Sequence, residues 1–312
     1  MLSRTQLKSE LINTPRRLRR HPSREGTYNS PLSRGVAAKR PGCVIRVGHS
    51  PDADDAFMFY GIKYGKVKTG GLKLVDVIEE IESLNQRALK AELEVTAMSL
   101  HAYAYAAQNY DIMTCGVSMG DGYGPIVVTK KTTKPKTIAV PGRLTTAYLL
   151  LKLWNKNWKE IQFLPFDQII PAVKKGTVDA GLIIHEGQIR FKEFGLKKLV
   201  DLGEWWLKKT KLPIPLGIDA VRKDLGASAQ KKLTRILRDS IEYALKNRKP
   251  AIQYSMKYGR GMKTEVADQF VGMYVNDWTL DMGVKGKRAV KELLHRGAKA
   301  GLIPKVIPRF IN

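Results

Sequence analysis

The stretch Gly181-Leu182-Ile183-Ile184-His185-Glu186-Gly187-Gln188 decides how this chain is read. From Val178 to Ile184 the residues are mostly β-branched or small and apolar, which reads as a buried strand. That strand delivers an imidazole, then a carboxylate and a glycine. Strand ends are where α/β proteins keep their chemistry. His185 is therefore the candidate general base, because an imidazole accepts and returns a proton near neutrality. On the local pattern alone, a histidine that merely closes a strand and bonds to backbone remains the alternative.

Working back from His185, Ile138-Ala139-Val140 begins the series that ends there. It runs through Pro141-Gly142-Arg143-Leu144-Thr145-Thr146-Ala147 into a helix with Leu149, Leu150, Leu153 and Trp154 on its inner side. A glycine turn, an arginine and two hydroxyls at a helix start make an anion cradle. The Gly and Lys spacing of a phosphate-binding loop is missing. A strand at Ile161–Leu164 and a helix capped by Asp167 and closed by Gly176 complete β-α-β-α-β, which argues for a mostly parallel sheet flanked by helices.

A similar series precedes it. The strand Val44–Val47 turns at Ser50 into a helix carrying Asp52, Asp54 and Asp55 in its turn or first coil, where carboxylates suit the helix dipole. Leu72–Ile78 is a second strand, followed by a helix with Ser83 as cap and Leu84, Ala88 and Ala91 on one face. Val95–Ser99 is a third, opening at Ser99 into a helix, so that free N–H groups flank a hydroxyl. Gly116–Gly124 reads as a loop, Lys130–Lys136 as a crossover, and Leu199–Trp206 and Leu212–Gly217 as loop-rich. Ile218–Val221 looks like a strand returning to the first series, and the remainder is helical.

Composition narrows the function classes. The net charge is +25, of which residues 1–42 supply +8 from ten Lys/Arg against Glu10 and Glu25, leaving +17 for the body. Basic residues in the body are dispersed, and no recognition helix, zinc pattern or aromatic RNA-binding motif accompanies them. A basic surface attracting small anions is expected, with no specific nucleic-acid partner. No apolar run reaches the roughly 18 residues of a membrane span. Residues 1–42, rich in Arg, Ser and Pro, are expected to be a disordered basic extension. Their arginine pairs lack the apolar segment of an export signal, so a cytoplasmic protein is expected. Cys43 and Cys115 form neither a disulfide framework nor a metal motif.

Taken in order, several segments carry a resemblance: Ser50-Pro51 with Asp55 and Phe57-Met58-Phe59-Tyr60, Leu84-Asn85, Gly124-Pro125, Val140-Pro141-Gly142-Arg143, Thr145-Thr146-Ala147-Tyr148 and Ala180 through Glu186. Val200-Asp201-Leu202-Gly203 with Trp205-Trp206, Leu212-Pro213 with Pro215-Leu216-Gly217, and Tyr274-Val275-Asn276 follow. Together they resemble the 1,4-dihydroxy-6-naphthoate synthase family of the futalosine route to menaquinone, from about Ile45 to Pro304. The family usually carries Cys, Asn and Thr in the segment that is acid-rich here, Pro51–Ala56.

That resemblance implies a periplasmic-binding-protein-like (type II) α/β fold of two lobes with a ligand cleft between them. Residues 43–133 and 217–312 would form the first lobe and 134–216 the inserted second. It further implies a lyase that splits cyclic dehypoxanthinylfutalosine into the naphthoate and a three-carbon fragment, with no metal or organic cofactor. His185 would be the proton acceptor. Ala97, Met98, Ser99, Thr146 and Ala147 would bind the small carboxylate substrate, with Thr145, Ser50 and Asn85 as further contact candidates. A homodimer is a further expectation. The alternatives are a non-catalytic receptor for a small carboxylate and the chorismate dehydratase of the same pathway.

Overall fold

A glycine sets how the first strand packs. A Cβ at Gly48 would lie 2.6 Å from Leu93 Cδ1 and 2.9 Å from Thr96 Oγ1, so strand and neighbouring layer meet only without a side chain there. The computed structural model describes residues 44–130, 134–258 and 263–312; the expectation for residues 1–42 lies outside them.

The first series is β1 (Val44–His49), α1 (Ala53–Lys63), β2 (Lys73–Ile78), α2 (Ile81–Leu89), β3 (Val95–Ser99), α3 (Leu100–Ala106), β4 (Tyr110–Met113) and β5 (Ser118–Gly120). The second is β6 (Ile126–Thr129), β7 (Thr137–Val140), α4 (Thr146–Trp154), β8 (Glu160–Phe163), α5 (Phe166–Lys175), β9 (Ala180–Ile183), α6 (Gly187–Arg190), β10 (Lys197–Asp201) and α7 (Leu202–Thr210). Strand β11 (Ile214–Arg222) then returns to the first sheet. Helices α8 (Ala227–Lys246), α9 (Arg248–Ser255), α10 (Thr264–Tyr274), α11 (Asp277–Leu280) and α12 (Gly283–Lys299) precede a final short strand, β12 (Phe310–Ile311).

The first sheet runs β12-β4-β11-β3-β1-β2, with β5 also on β11; the second runs β10-β6-β9-β7-β8. Both are mixed. Strand β11 is antiparallel to β3, β4 and β5, and β6 is antiparallel to β9 and β10, while β1, β2 and β3 and β7, β8 and β9 pair parallel. The expected two-sheet architecture is there, but "mostly parallel" has to be corrected to mixed. Each sheet takes in one strand that arrives from the other, β6 into the second and β11 into the first, and both pair antiparallel.

The crossovers also fall elsewhere than composition suggested. Ile126–Thr129, expected in the first lobe, pairs with β9 in the second sheet, and the charged run after it links two strands of that same sheet. Residues 214–216, expected with the second lobe, belong to β11. Leu199–Trp206 is not loop but the end of β10 and the start of α7, whose N-terminal amides are capped by Asp201 Oδ1. Ser83 and Asp167 lie within the first turns of their helices; the N-cap positions are Glu80 and Pro165.

Packing in the second sheet relies on another glycine. At Gly181 in β9 a Cβ would come within 2.9 Å of Val173 Cγ2, so α5 settles directly on the strand. One apolar core, including Met98, Leu150, Trp206, Ile218 and Leu293, draws on elements of both series; Trp206 is fully buried and donates its indole N–H to the Pro213 carbonyl at 3.0 Å. A second, built on Phe57, Leu237 and Ile241, joins α1 to α8 beneath the first sheet.

Candidate active site

The strand ends of the two sheets face a cleft enclosing about 770 Å³, its open mouth included. From the first series its wall takes Ser50, Asp52, Asp54, Asp55 and Ala97–Ser99; from the second it takes Thr145–Ala147 and Ile184. Of the candidates named from sequence, Ser50, Ala97, Met98, Ser99, Thr145, Thr146 and Ala147 are thus brought together. Asn85 and His185 are not on this wall.

Ser99 ends β3 with extended backbone, and its side chain does not cap α3. Asn85, fully buried on α2, holds it instead: the Ser99 amide donates to Asn85 Oδ1 at 2.8 Å and Asn85 Nδ2 donates to Ser99 Oγ at 3.1 Å. Because Oγ accepts that bond, its own proton can be turned to the cleft. Asn85 therefore sits behind Ser99 rather than in contact with a ligand.

Across the cleft, Thr145 caps α4. Its Oγ1 accepts from the Tyr148 amide at 3.3 Å and donates to the Gly142 carbonyl at 3.0 Å. The Thr146 hydroxyl, expected to hold substrate, donates to the Leu216 carbonyl and accepts from the His101 amide at 3.3 Å. What this wall offers a ligand is the first-turn amides of Thr146 and Ala147, which have no acceptor within the helix. His101, which sequence reading passed over, supports the turn: its Nδ1 lies 3.1 Å from the Thr145 carbonyl, and burial lowers its pKa to about 4, so the neutral ring donates there.

The third wall is acidic. The Ser50 amide donates to Asp55 Oδ2 at 2.6 Å and its hydroxyl to Asp52 Oδ2 at 3.0 Å, so Ser50 orients carboxylates rather than standing free. Burial, then the charges of Asp55 and Asp52, pushes the Asp54 carboxyl well above its usual range. Burial also raises Asp55, opposed by His49 and the Ser50 amide. These residues are in the first turn of α1, as the dipole argument expected, but β1 ends at the cleft and so turns them onto its wall. Tyr274 completes the lining; its hydroxyl donates to Gln188 Oε1 at 2.9 Å, and burial raises the phenol.

His185 follows β9 as expected, yet only Ile184 of that turn reaches the wall. The imidazole is 8% exposed and turned into its own half of the molecule. Nδ1 accepts the Gly187 amide at 3.1 Å, which leaves the proton on Nε2, 3.3 Å from the Phe166 carbonyl. The Phe166 ring meets it edge-on at 4.7 Å, and Glu186 Oε2 lies 3.4 Å from Nδ1. Facing the cleft would require the ring to rotate away from these partners.

Two mixed sheets with helices outside and a cleft at their strand ends define the periplasmic-binding-protein-like class. The fold matches the alkanesulfonate-binding protein from Xanthomonas axonopodis pv. citri at a TM-score of 0.65 and 13% identity, over 85% of this chain and 96% of that one. Within that class, the chain belongs to the menaquinone biosynthesis family, whose model matches residues 45–299. It is 37% identical over 273 residues to the 1,4-dihydroxy-6-naphthoate synthase of Streptomyces coelicolor, covering 85% of this chain and 96% of the relative. Identity to the Thermus thermophilus enzyme of the same name is 38% over 271 residues, 86% and 99% of the two chains. A crystal structure of an Archaeoglobus fulgidus protein superposes at a TM-score of 0.81 with 50% identity, over 83% and 98% of the chains.

Proposed function

We infer that this protein is a 1,4-dihydroxy-6-naphthoate synthase, a carbon–carbon lyase acting in the cytoplasm on cyclic dehypoxanthinylfutalosine. The observation that carries the reading is the near full-length match to two enzymes of that name. The cleft supports it, because its two walls differ in charge. A substrate carboxylate is repelled by the negative charge left on the Asp52, Asp54 and Asp55 wall, part of which burial keeps protonated, and attracted by the Thr146 and Ala147 amides, so the aromatic acid lies toward α4. Hydroxyls of the three-carbon portion then face the carboxyls, which accept their hydrogen bonds. Loss of that fragment leaves an aromatic bicycle, so positioning and proton transfer are the protein's main tasks.

His185 is the inferred base. Reaching the substrate means exchanging its Gly187 and Phe166 contacts, each about 1 kcal/mol net, for contacts to the ligand. A second reading is favoured by one observation: Asp54 is already on the wall with burial favouring its protonated form, so this carboxyl would act as a general acid that gives a proton to the departing fragment. Purified protein incubated with the cyclic futalosine derivative should yield the naphthoate by mass spectrometry, and no product would end the enzyme assignment. His185→Gln should lower turnover by roughly 10²- to 10⁴-fold. Wild-type turnover in that variant would remove His185 as the base, and a loss appearing in Asp54→Asn instead would support the acid role of Asp54.

A further inference from the structure

One acidic side chain reaches from the first wall of the cleft to the opposite one. Glu82 lies in the first turn of α2, beside the cleft-lining Ile81. Its carboxylate accepts the Leu144 amide with both oxygens, at 3.2 and 3.3 Å, in the turn that feeds α4. The turn is shaped to admit it: a Cβ on Gly142 would lie 2.7 Å from Glu82 Cδ and closer still to Oε2. On its own helix Glu82 faces Asn85 Nδ2 at 3.5 Å, one turn along, and Asn85 is the residue that holds both the amide and the hydroxyl of Ser99.

We propose that Glu82 is a positioning residue that sets the separation of the two ligand-holding stations, clamping the 142–145 turn of one wall and, through Asn85, Ser99 of the other. A backbone amide shared by both oxygens of a carboxylate makes a charge-assisted contact, stronger than a neutral one. A carboxylate held this way fixes the α4 amides relative to β3. Its negative charge also fills the glycine turn, so the Gly142–Leu144 part of the anion cradle read from Gly142 to Thr146 is occupied by the protein itself. A substrate carboxylate is left the Thr146 and Ala147 amides, two and three residues beyond Leu144.

The test pairs hydrogen exchange with kinetics. In Glu82→Ala, exchange of the Leu144 amide should rise at least about tenfold, and so should that of Ser99, which Glu82 touches only through Asn85. The catalytic efficiency should fall about 10- to 100-fold, mostly in kcat, the scale of a misplaced reacting group. Glu82→Gln keeps one carbonyl acceptor and should lose less. Gly142→Ala displaces the carboxylate from the opposite side, so it should reproduce Glu82→Ala, and the double variant should add little. Should Glu82→Ala not fold, Glu82→Gln and Gly142→Ala carry the same measurements. Unchanged Ser99 exchange beside faster Leu144 exchange would overturn the proposal, as would effects that multiply in the double variant. The kinetic arm rests on the reaction inferred above. If the wild type makes no naphthoate, that reading fails, while the Ser99 amide still decides this one.

Discussion

Asp219 is a buried carboxyl with both oxygens unmatched, and replacing it with Asn should stabilise the protein in a pH-dependent way. It lies on β11, 1% exposed, and neither carboxyl oxygen has a hydrogen-bond partner among the described residues. Oδ2 lies directly against Gly116 of the cleft lining. Burial, then the charge of Asp55, raises its pKa well above the usual value. A group whose folded pKa is raised binds its proton more tightly folded than unfolded. The wild type therefore keeps its full stability from this site below the unfolded pKa, near 3.9, and loses it as pH rises toward the folded value. Asn has the same shape and no such titration. Asn keeps the unmatched polar atoms but not the charge, so Asp219→Asn removes only the cost of taking up a proton on folding and should raise Tm by about 2–6 °C at pH 7.5. The gain should shrink toward zero near pH 3.5. Calorimetry of both proteins across that range is the assay. A gain independent of pH, or a loss at pH 7.5, would refute the reasoning.

Three further outcomes follow from other contacts. His101 is held neutral by burial with a pKa of about 4, below its unfolded 6.5, so its contribution is lost as pH falls from 6.5 through 4; His101→Asn, which keeps a donor toward Thr145, should flatten that part of the wild-type curve. Gly181→Ala places a methyl 2.5 Å from Ile169 Cγ2 and should cost about 1–3 kcal/mol in urea unfolding, since α5 must lift from β9. Thr145→Ala removes the α4 cap and should cost about 1 kcal/mol while raising KM, because the amides of Thr146 and Ala147 lose their anchor.

What could be read before the coordinates were known follows a physical boundary. The order of strands and helices through the two series was legible because it is carried by local periodicity. Ser99 and Thr145–Ala147 were legible because a strand running into a helix exposes amides wherever it occurs. The crossovers were not, since composition marks solvent exposure and not sheet membership: a charged run such as Lys130–Lys136 does not say which sheet the strands on either side of it join. The direction of the His185 ring was not legible either. It is set by the Phe166 carbonyl, 19 residues away, and by a bond back from Gly187. Asn85 looked like a ligand contact because it belongs to a recognisable motif, but only its burial beneath Ser99 shows that it serves the hydroxyl.

The acids of the cleft have the same origin in folding and function. Asp52, Asp54 and Asp55 suit the start of α1, yet a dipole contribution of about 0.3–1 kcal/mol per exposed carboxylate does not account for placing Asp54 and Asp55 where burial raises both. A single capping acid would satisfy the helix. Adding Asp219 behind them raises the cost further, and at neutral pH mutual repulsion favours keeping protons on part of the group. A wall built this way combines accepting oxygens with a carboxyl that can donate, opposite a wall of amides that can only donate. That asymmetry gives a ligand bearing one carboxylate and several hydroxyls a single favourable direction in the cleft, and it makes the stability lost at this wall the physical counterpart of that selectivity.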